Sequence, residues 1–202
     1  MARKITHDDV DKFFEYGIHI PTRTIYAGST AVVDGTDQET GTDYQMAEYL
    51  TKGLWILDHA APAGDQPIKV VMNNLGGDEF HMFAMFDAIK RCLNHVTVLG
   101  TGYVMSAGSL IFQAADDRVL SPNAYMMIHY GTWGIHDHPK ITRAWTKAGE
   151  KMDQKIARMY LERIQEKLPH YTYEQVDKLL DFDTILTAQE AVDLGLADRI
   201  EG

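Results

Sequence analysis

Twice between residues 68 and 115 a strand-like run ends in a glycine-bearing turn and passes straight into a helical pattern. The first unit is Ile68–Met72, then Asn73-Asn74-Leu75-Gly76-Gly77, then a predicted helix over Asp78–Leu93 with Phe80, Phe83, Ala84 and Ile89 turned inward. The second is Val96–Leu99, then Gly100 and Gly102, then a small-residue helix over Ser106–Ala115. Parallel strands need a crossover of a dozen or more residues, and a helix supplies it. This repeat predicts an α/β domain with βαβ-type crossovers. Arg118–Leu120 and Ala124–His129 read as further strands around the turn Ser121-Pro122-Asn123.

A second constraint comes from two prolines. Pro139 suits a first helical turn and Pro169 stops a helix placed before it. Between them Ile141, Trp145, Ala148, Met152, Ile156, Met159, Ile164 and Leu168 recur at three- and four-residue steps. About 30 residues at 1.5 Å each give a rod of roughly 45 Å. A domain of this length has a radius of gyration of about 16–17 Å. A continuous helix would project from the globule, whereas a break near Gly149 would give two ordinary helices. Further on, Thr172 with Gln175 and Thr187 with Glu190 form two capping boxes, and Gly195 suits the end of the second helix. Asp181–Leu186 lies between these helices as a linker or short strand. Tyr44–His59 carries Met46, Leu50, Leu54 and Leu57 at helical spacing. The polar stretch Val33–Thr42 and the stretch Ala60–Pro67 read as exposed loops.

The 202 residues predict a single domain over 1–202. Nineteen Lys and Arg against 29 Asp and Glu give a net charge of −10, which argues against nucleic acid as a partner. The single cysteine, Cys92, permits no internal disulfide and is expected to pack in a helix rather than react. No apolar run reaches the ~18 residues of a membrane span, and the first residues lack a secretory core. The cytoplasm is the expected location, with no membrane association.

Four places hold residues with chemical potential. Gly76-Gly77, between strand and helix, allows unusual backbone angles and close ligand approach, and equally suits a tight βα turn. Ser106 at a helix start is either a plain N-cap or a nucleophile with the Ala107 N–H as an oxyanion donor. His129 at a strand end is either a general base or a hydrogen-bonded structural histidine. Asp181 and Asp183 are either solvated loop acids or the source of a carboxylate that orients a histidine. His136 and His138 lack the companions of a zinc site, so neither a metal nor a cofactor is expected.

Their order along the chain resembles the ClpP family of self-compartmentalising serine peptidases, from about Tyr16 to Ile200. Asn73–Gly77 resembles that family's Asn-Ser-Pro-Gly-Gly turn. Gly102–Gly108 resembles its Gly-x-Ala-Ser-Met-Gly segment, and Met126-Met127-Ile128-His129 its Val-Met-Ile-His. Asp183–Ala191, followed by Gly195-Leu196-Ala197-Asp198, resembles its Asp-Arg-Phe/Tyr-Leu/Met-Ser-Ala-x-Glu-Ala and Gly-Leu-Val/Ile-Asp. The resemblance implies a ClpP/crotonase-like α/β fold of repeated ββα/βαβ units. It makes Ser106 the nucleophile, His129 the base and Asp183 the orienting carboxylate. The Gly77 and Ala107 N–H groups become the oxyanion hole. It also implies a projecting handle over about 135–168, a homo-oligomer of stacked heptameric rings (a tetradecamer), unfolded protein or peptide substrates and a ring ATPase partner.

This chain departs from the pattern in several places. Asn74-Leu75 replaces Ser-Pro, Met105 precedes the serine, and Gly131-Thr-Trp-Gly134 keeps only part of the family's glycine-rich strand. The segment 1–13 is shorter than the family's axial-loop segment, and Val33–Thr42 reads as an insertion. A crotonase-type acyl-CoA enzyme, a noncatalytic ring scaffold and a Ser-Lys peptidase are the competing readings.

Overall fold

The computed structural model describes residues 5–28, 41–60, 66–132 and 134–202. Most of the predicted loop 33–42, part of 60–67, and Trp133 lie outside them. The first element is α1, His7–Tyr16, opened by a capping box between Thr6 and Asp9 and closed by left-handed Gly17. The sheet begins with β1, Ile18–His19, and β2, Thr24–Ala27, after which α2 covers Tyr44–His59. Next come β3, Ile68–Asn74, α3, Glu79–Lys90, β4, Val96–Met105, and α4, Ala107–Gln113. Then follow β5, Asp117–Leu120, β6, Tyr125–Ile128, and α5, Pro139–Lys167. The chain ends with α6, Tyr173–Leu180, β7, Thr184–Thr187, α7, Ala188–Leu194, and β8, Arg199–Ile200.

The architecture is mixed α/β. The main strand order is β1-β2-β3-β4-β5-β8, and every pair from β2 onward is parallel. The long β4 belongs to two ladders. Its first half, Thr97–Gly100, pairs with β5, and its last residues, Tyr103–Met105, pair with β6. Gly102 supplies the bend between the halves, with φ +57° and an absent side chain where the Asn73 carboxamide packs. β7 then runs antiparallel to β6. The strand predicted to stop at Leu99 therefore continues through both glycines to the residue before Ser106.

The core lies between the sheet and α2, α3, α4 and the second half of α5. Met46, Leu50, Leu54 and Leu57 of α2 are buried as predicted. The inward face of α3 agrees with the prediction at Ile89 and in part at Phe83, and differs elsewhere. Met82, Met85, Ala88 and Ile89 face the core, Phe83 is half-buried, and Phe80 and Ala84 are exposed. The helix is apolar around most of its circumference, so periodicity alone offers two stripes and the packing selects one. Phe80 instead meets Trp145 of α5 edge to face, with ring centroids 6.2 Å apart.

α5 is continuous for 29 residues and passes Gly149 unbroken. At 1.5 Å per residue it is about 44 Å long. Ile156, Ala157, Tyr160 and Ile164, all in its second half, are buried, while Ile141 and Trp145 in its first half are exposed. Both later capping boxes form, and Gly195 takes the left-handed conformation at the end of α7. Cys92 lies just past the end of α3 rather than within it, half-buried, with its thiol against the Ala88 carbonyl at 3.4 Å. No helix among the described residues is long and apolar enough to cross a membrane.

Candidate active site

Three chain segments end at one place. β4 delivers Ser106, β6 delivers His129 at the next position beyond Ile128, and β7 begins immediately after Asp183. The Ser106 N–H donates to the Met127 carbonyl at 2.8 Å, extending the β4–β6 ladder by one rung. The antiparallel register pairs Ile128 with Thr184, which sets His129 beside Asp183.

Ser106 does not behave as an ordinary helix cap. Its side chain makes no capping hydrogen bond, and its backbone sits at φ +52°, ψ −126°. Such a conformation costs a non-glycine residue about 1–3 kcal/mol. The strained turn aims the hydroxyl at His129, with 2.8 Å between Oγ and Nε2. On the far side of the ring, Nδ1 stands 2.8 Å from Asp183 Oδ1. With the proton on Nδ1, the imidazole donates to Asp183 and accepts from Ser106. His129 is largely covered (21% side-chain exposure), whereas Asp183 is open to solvent at 66%. Asp181 sits elsewhere, as the C-cap of α6. The structure thus brings Ser106, His129 and Asp183 together and leaves Asp181 out.

The glycine pair packs against the serine. Gly76 has φ +112°, and a Cβ there would come within 2.5 Å of the Ser106 Cβ. Gly77 has φ +145°, and its Cβ would lie 2.3 Å from the Thr42 carbonyl oxygen. Thr42 forms a parallel bridge with Gly77, so the end of the predicted exposed loop is in fact buried. In that bridge the Thr42 N–H donates to the Gly76 carbonyl at 2.7 Å, and the Asp78 N–H donates to the Thr42 carbonyl at 2.9 Å. Groups alternate sides along an extended chain, so the Gly77 N–H points away from Thr42. Gly77 and Ala107 both border the cavity onto which Ser106 and His129 open. Asn74, fully buried, ties the turn down by accepting from the Gly76 N–H at 2.7 Å and bonding the Thr42 hydroxyl.

Behind the serine lies a second set of contacts that no sequence motif marks. The Ser109 hydroxyl donates to the Ser106 carbonyl at 2.7 Å and lies 2.6 Å from the Tyr160 hydroxyl. Both side chains are buried, and burial pushes the Tyr160 phenol well above its ordinary pKa, keeping it a neutral donor. Only the i, i+3 spacing of Ser106 and Ser109 hints at this, and nothing in the sequence points to Tyr160.

The cavity holds about 580 Å³. Met82, Leu110, Met152 and Ile156 give it apolar walls, and Glu79 stands at its side. Burial raises the Glu79 pKa above the usual carboxylate value, as do the nearby Asp153 and Asp78 carboxylates, while His129 acts in the opposite sense. His136 also borders the cavity. His138 instead caps α5, where its Nδ1 accepts from the Lys140 N–H at 3.3 Å. Among the described residues, no group of three or more His, Cys, Asp and Glu is arranged to hold a metal.

A mostly parallel sheet that branches at β4, with a strained serine where the branch ends, fits the ClpP-like class of α/β fold. Comparison with known proteins agrees. The chain belongs to the Clp protease family, which matches residues 37–202. It is 34% identical to the ATP-dependent Clp protease proteolytic subunit 1 of Chlamydia abortus, over 80% of this chain and 82% of that protein. It is 31% identical to the proteolytic subunit 2 of Pseudomonas aeruginosa, over 79% and 77%. A solved mutant of ClpP1 from Listeria monocytogenes superposes with a TM-score of 0.73 at 29% identity, covering 90% of this chain and 92% of that one.

Proposed function

We propose that this chain is a serine endopeptidase that cleaves unfolded proteins or peptides inside a ring chamber. The observation that carries this reading is the unbroken Ser106–His129–Asp183 hydrogen-bond chain, 2.8 Å at each link. His129 takes the Ser106 proton as Oγ attacks a peptide carbonyl. Asp183 holds the imidazole in the tautomer that leaves Nε2 free to accept, and stabilises the imidazolium that forms. The Gly77 and Ala107 N–H groups bind the tetrahedral oxyanion, and losing one such donor typically costs ~10²–10³ in rate. His129 returns the proton to the leaving amine, and water activated by the same histidine releases the acid from Ser106. No metal or cofactor enters this sequence of steps.

Membership in the family supports assembly into stacked heptameric rings, with the first half of α5 as the handle between rings. Its exposed Ile141 and Trp145 support that role, because a projecting apolar stripe favours a covering surface. A ring ATPase partner and a cytoplasmic setting belong to the same reading, as does treatment of 1–202 as one domain. An acyl-CoA enzyme of the crotonase type would leave the hydrogen-bonded triad without a role.

Treatment with a fluorophosphonate, followed by intact-mass measurement and peptide mapping, tests the proposal. One adduct on Ser106, absent from Ser106→Ala, supports an activated serine. No adduct on the assembled particle would leave a scaffold that has lost its chemistry. Sedimentation of a protein shortened within 139–150 should give a smaller particle, and an unchanged mass would reject the handle.

A further inference from the structure

The cavity beside the nucleophile is lined by apolar side chains and by three acids, Asp78, Glu79 and Asp137. Glu79 borders it from the first turn of α3, half-buried, and the carboxylate reaches across to the segment after His129. A Cβ placed on Gly131 would lie 2.5 Å from Glu79 Oε1, which locates that oxygen. Asp78 and Asp137 border the same space, and no Lys or Arg among the described residues does. On α5, Oδ1 of Asp153 is shut off from solvent with no hydrogen-bond partner among the described residues. Glu79 and Asp153 repel each other, which contributes to the raised Glu79 pKa. Asp153 itself borders a neighbouring pocket, and the three carboxylates that border this cavity, with no Lys or Arg among the described residues that line it, favour a cationic occupant.

From this arrangement we infer that the cavity is the subsite for the substrate side chain next to the scissile bond, that it selects arginine or lysine, and that Glu79 is the residue that reads the charge. The inference rests on the peptidase reading and names its substrate class. An arginine or lysine suits both kinds of lining. Its methylenes lie along Met82, Leu110 and Met152, and its charged head reaches the carboxylate. Arginine gains further from a planar fork that matches a carboxylate with two hydrogen bonds. A leucine would pack on the apolar lining but leave Glu79 desolvated without a partner. A glutamate would add a fourth negative charge to the Asp78, Glu79 and Asp137 set.

Fluorogenic peptides identical except for Arg, Lys, Leu or Glu before the scissile bond test this on the assembled protein. Arg and Lys should exceed Leu in kcat/KM by about 10-fold or more, the scale of a buried charge-assisted contact, with Glu cleaved least. Glu79→Gln, nearly isosteric, should lower the Arg-to-Leu ratio by about the same factor, and Glu79→Lys should move the preference toward Glu. A wild-type ratio at or below one, or a ratio unmoved by Glu79→Gln, overturns the inference while Leu cleavage and Ser106 labelling leave the peptidase reading intact. Calorimetric titration of Ser106→Ala with the Arg and Leu peptides decides the matter without turnover. Tighter binding of the Arg peptide, equalised by adding Glu79→Gln, supports the subsite. Equal binding rejects it even if no peptide is ever cleaved.

Discussion

Asp183 Oδ1 lies 2.8 Å from His129 Nδ1 although 54 residues separate them in the chain. The long α5 and the whole of α6 intervene, and the chain returns because β7 pairs antiparallel with β6. That pairing, rather than local sequence, selects Asp183 over its near neighbour Asp181. Asp183→Asn should therefore lower kcat for peptide hydrolysis by about 10²–10⁴-fold, because the amide favours the wrong imidazole tautomer. Asp181→Asn should stay within about twofold, as an exposed polar change at a helix end. A larger loss from Asp181→Asn would exchange the two assignments.

The nucleophile is held in a conformation that glycine tolerates better. Ser106 has φ +52°, and its Cβ fills the space that a side chain on Gly76 would need. Ser106→Gly removes strain of about 1–3 kcal/mol and adds unfolded-state entropy of roughly 0.5–1 kcal/mol. The net expectation is a protein about 1 kcal/mol more stable and inactive, read as a higher urea midpoint at unchanged slope. A lower midpoint would mean that the serine's bonds outweigh its strain.

Tyr160 connects α5 to the nucleophile through Ser109. Tyr160→Phe keeps the ring and removes only the hydroxyl. Stability should fall by about 1 kcal/mol for the lost buried hydrogen bond. If the relay fixes the Ser106 carbonyl, kcat should fall by about 3- to 10-fold with KM unchanged, short of the ~10²-fold that a 1 Å misplacement can cost. A stability loss without any change in kcat would make the pair a packing feature alone.

The sequence discloses what is decided locally. Strand-to-helix turns, the proline-bounded α5, both later capping boxes and Gly195 are short-range devices, and each appears at the predicted place. What it conceals depends on distant partners. Thr42 reads as a polar loop residue because its bridge to Gly77 joins segments more than thirty residues apart. The α3 face is ambiguous in the sequence because Phe and Met alternate around the helix. β4 reads as ending at Leu99 because glycines usually break strands. Here they let one strand serve two ladders. In the site, Ser106, His129 and Asp183 are legible as a set through the family resemblance. From residue chemistry alone, a helix cap, an edge histidine and a loop acid would have served equally well. Of the supporting residues, Asn74 stands in the glycine turn as a departure from the family pattern, and Ser109 and Tyr160 carry no motif.

Cys92 should be slow to react. Burial, together with the Asp58 and Asp116 carboxylates, raises its thiol pKa to about 11. The thiolate is the reactive form, so at pH 7.5 modification by Ellman's reagent should run about 10²-fold slower than for a free cysteine with pKa ~8.5. Unfolding in urea should restore the ordinary rate. A native rate near that of the free thiol would place Cys92 in an exposed setting.

Asp58 gives the fold a defined acid sensitivity. It is buried at the end of α2, where burial alone would raise its pKa. The Asn94 backbone N–H at 2.9 Å, the Asn94 side chain at 3.0 Å and the Leu93 N–H at 3.0 Å outweigh that and hold it below the ordinary 3.8. The unfolded chain therefore binds a proton at Asp58 more readily than the folded one, and stability falls as pH falls. The contribution is complete well above the unfolded pKa of ~3.9 and is lost as pH drops from about 5 through the folded value. Asp198, held down by Arg118 against the effect of its own burial, acts in the same sense. Glu79 and Asp153 act oppositely, since raised folded pKa values make protonation favour the native state. The difference between wild type and Asp58→Asn separates these effects. At pH 7 the variant should be less stable by about 2–3 kcal/mol, the scale of hydrogen bonds to a buried charge. The gap should narrow steadily below pH 5, and a gap independent of pH down to about 3 would show that Asp58 acts by shape rather than charge.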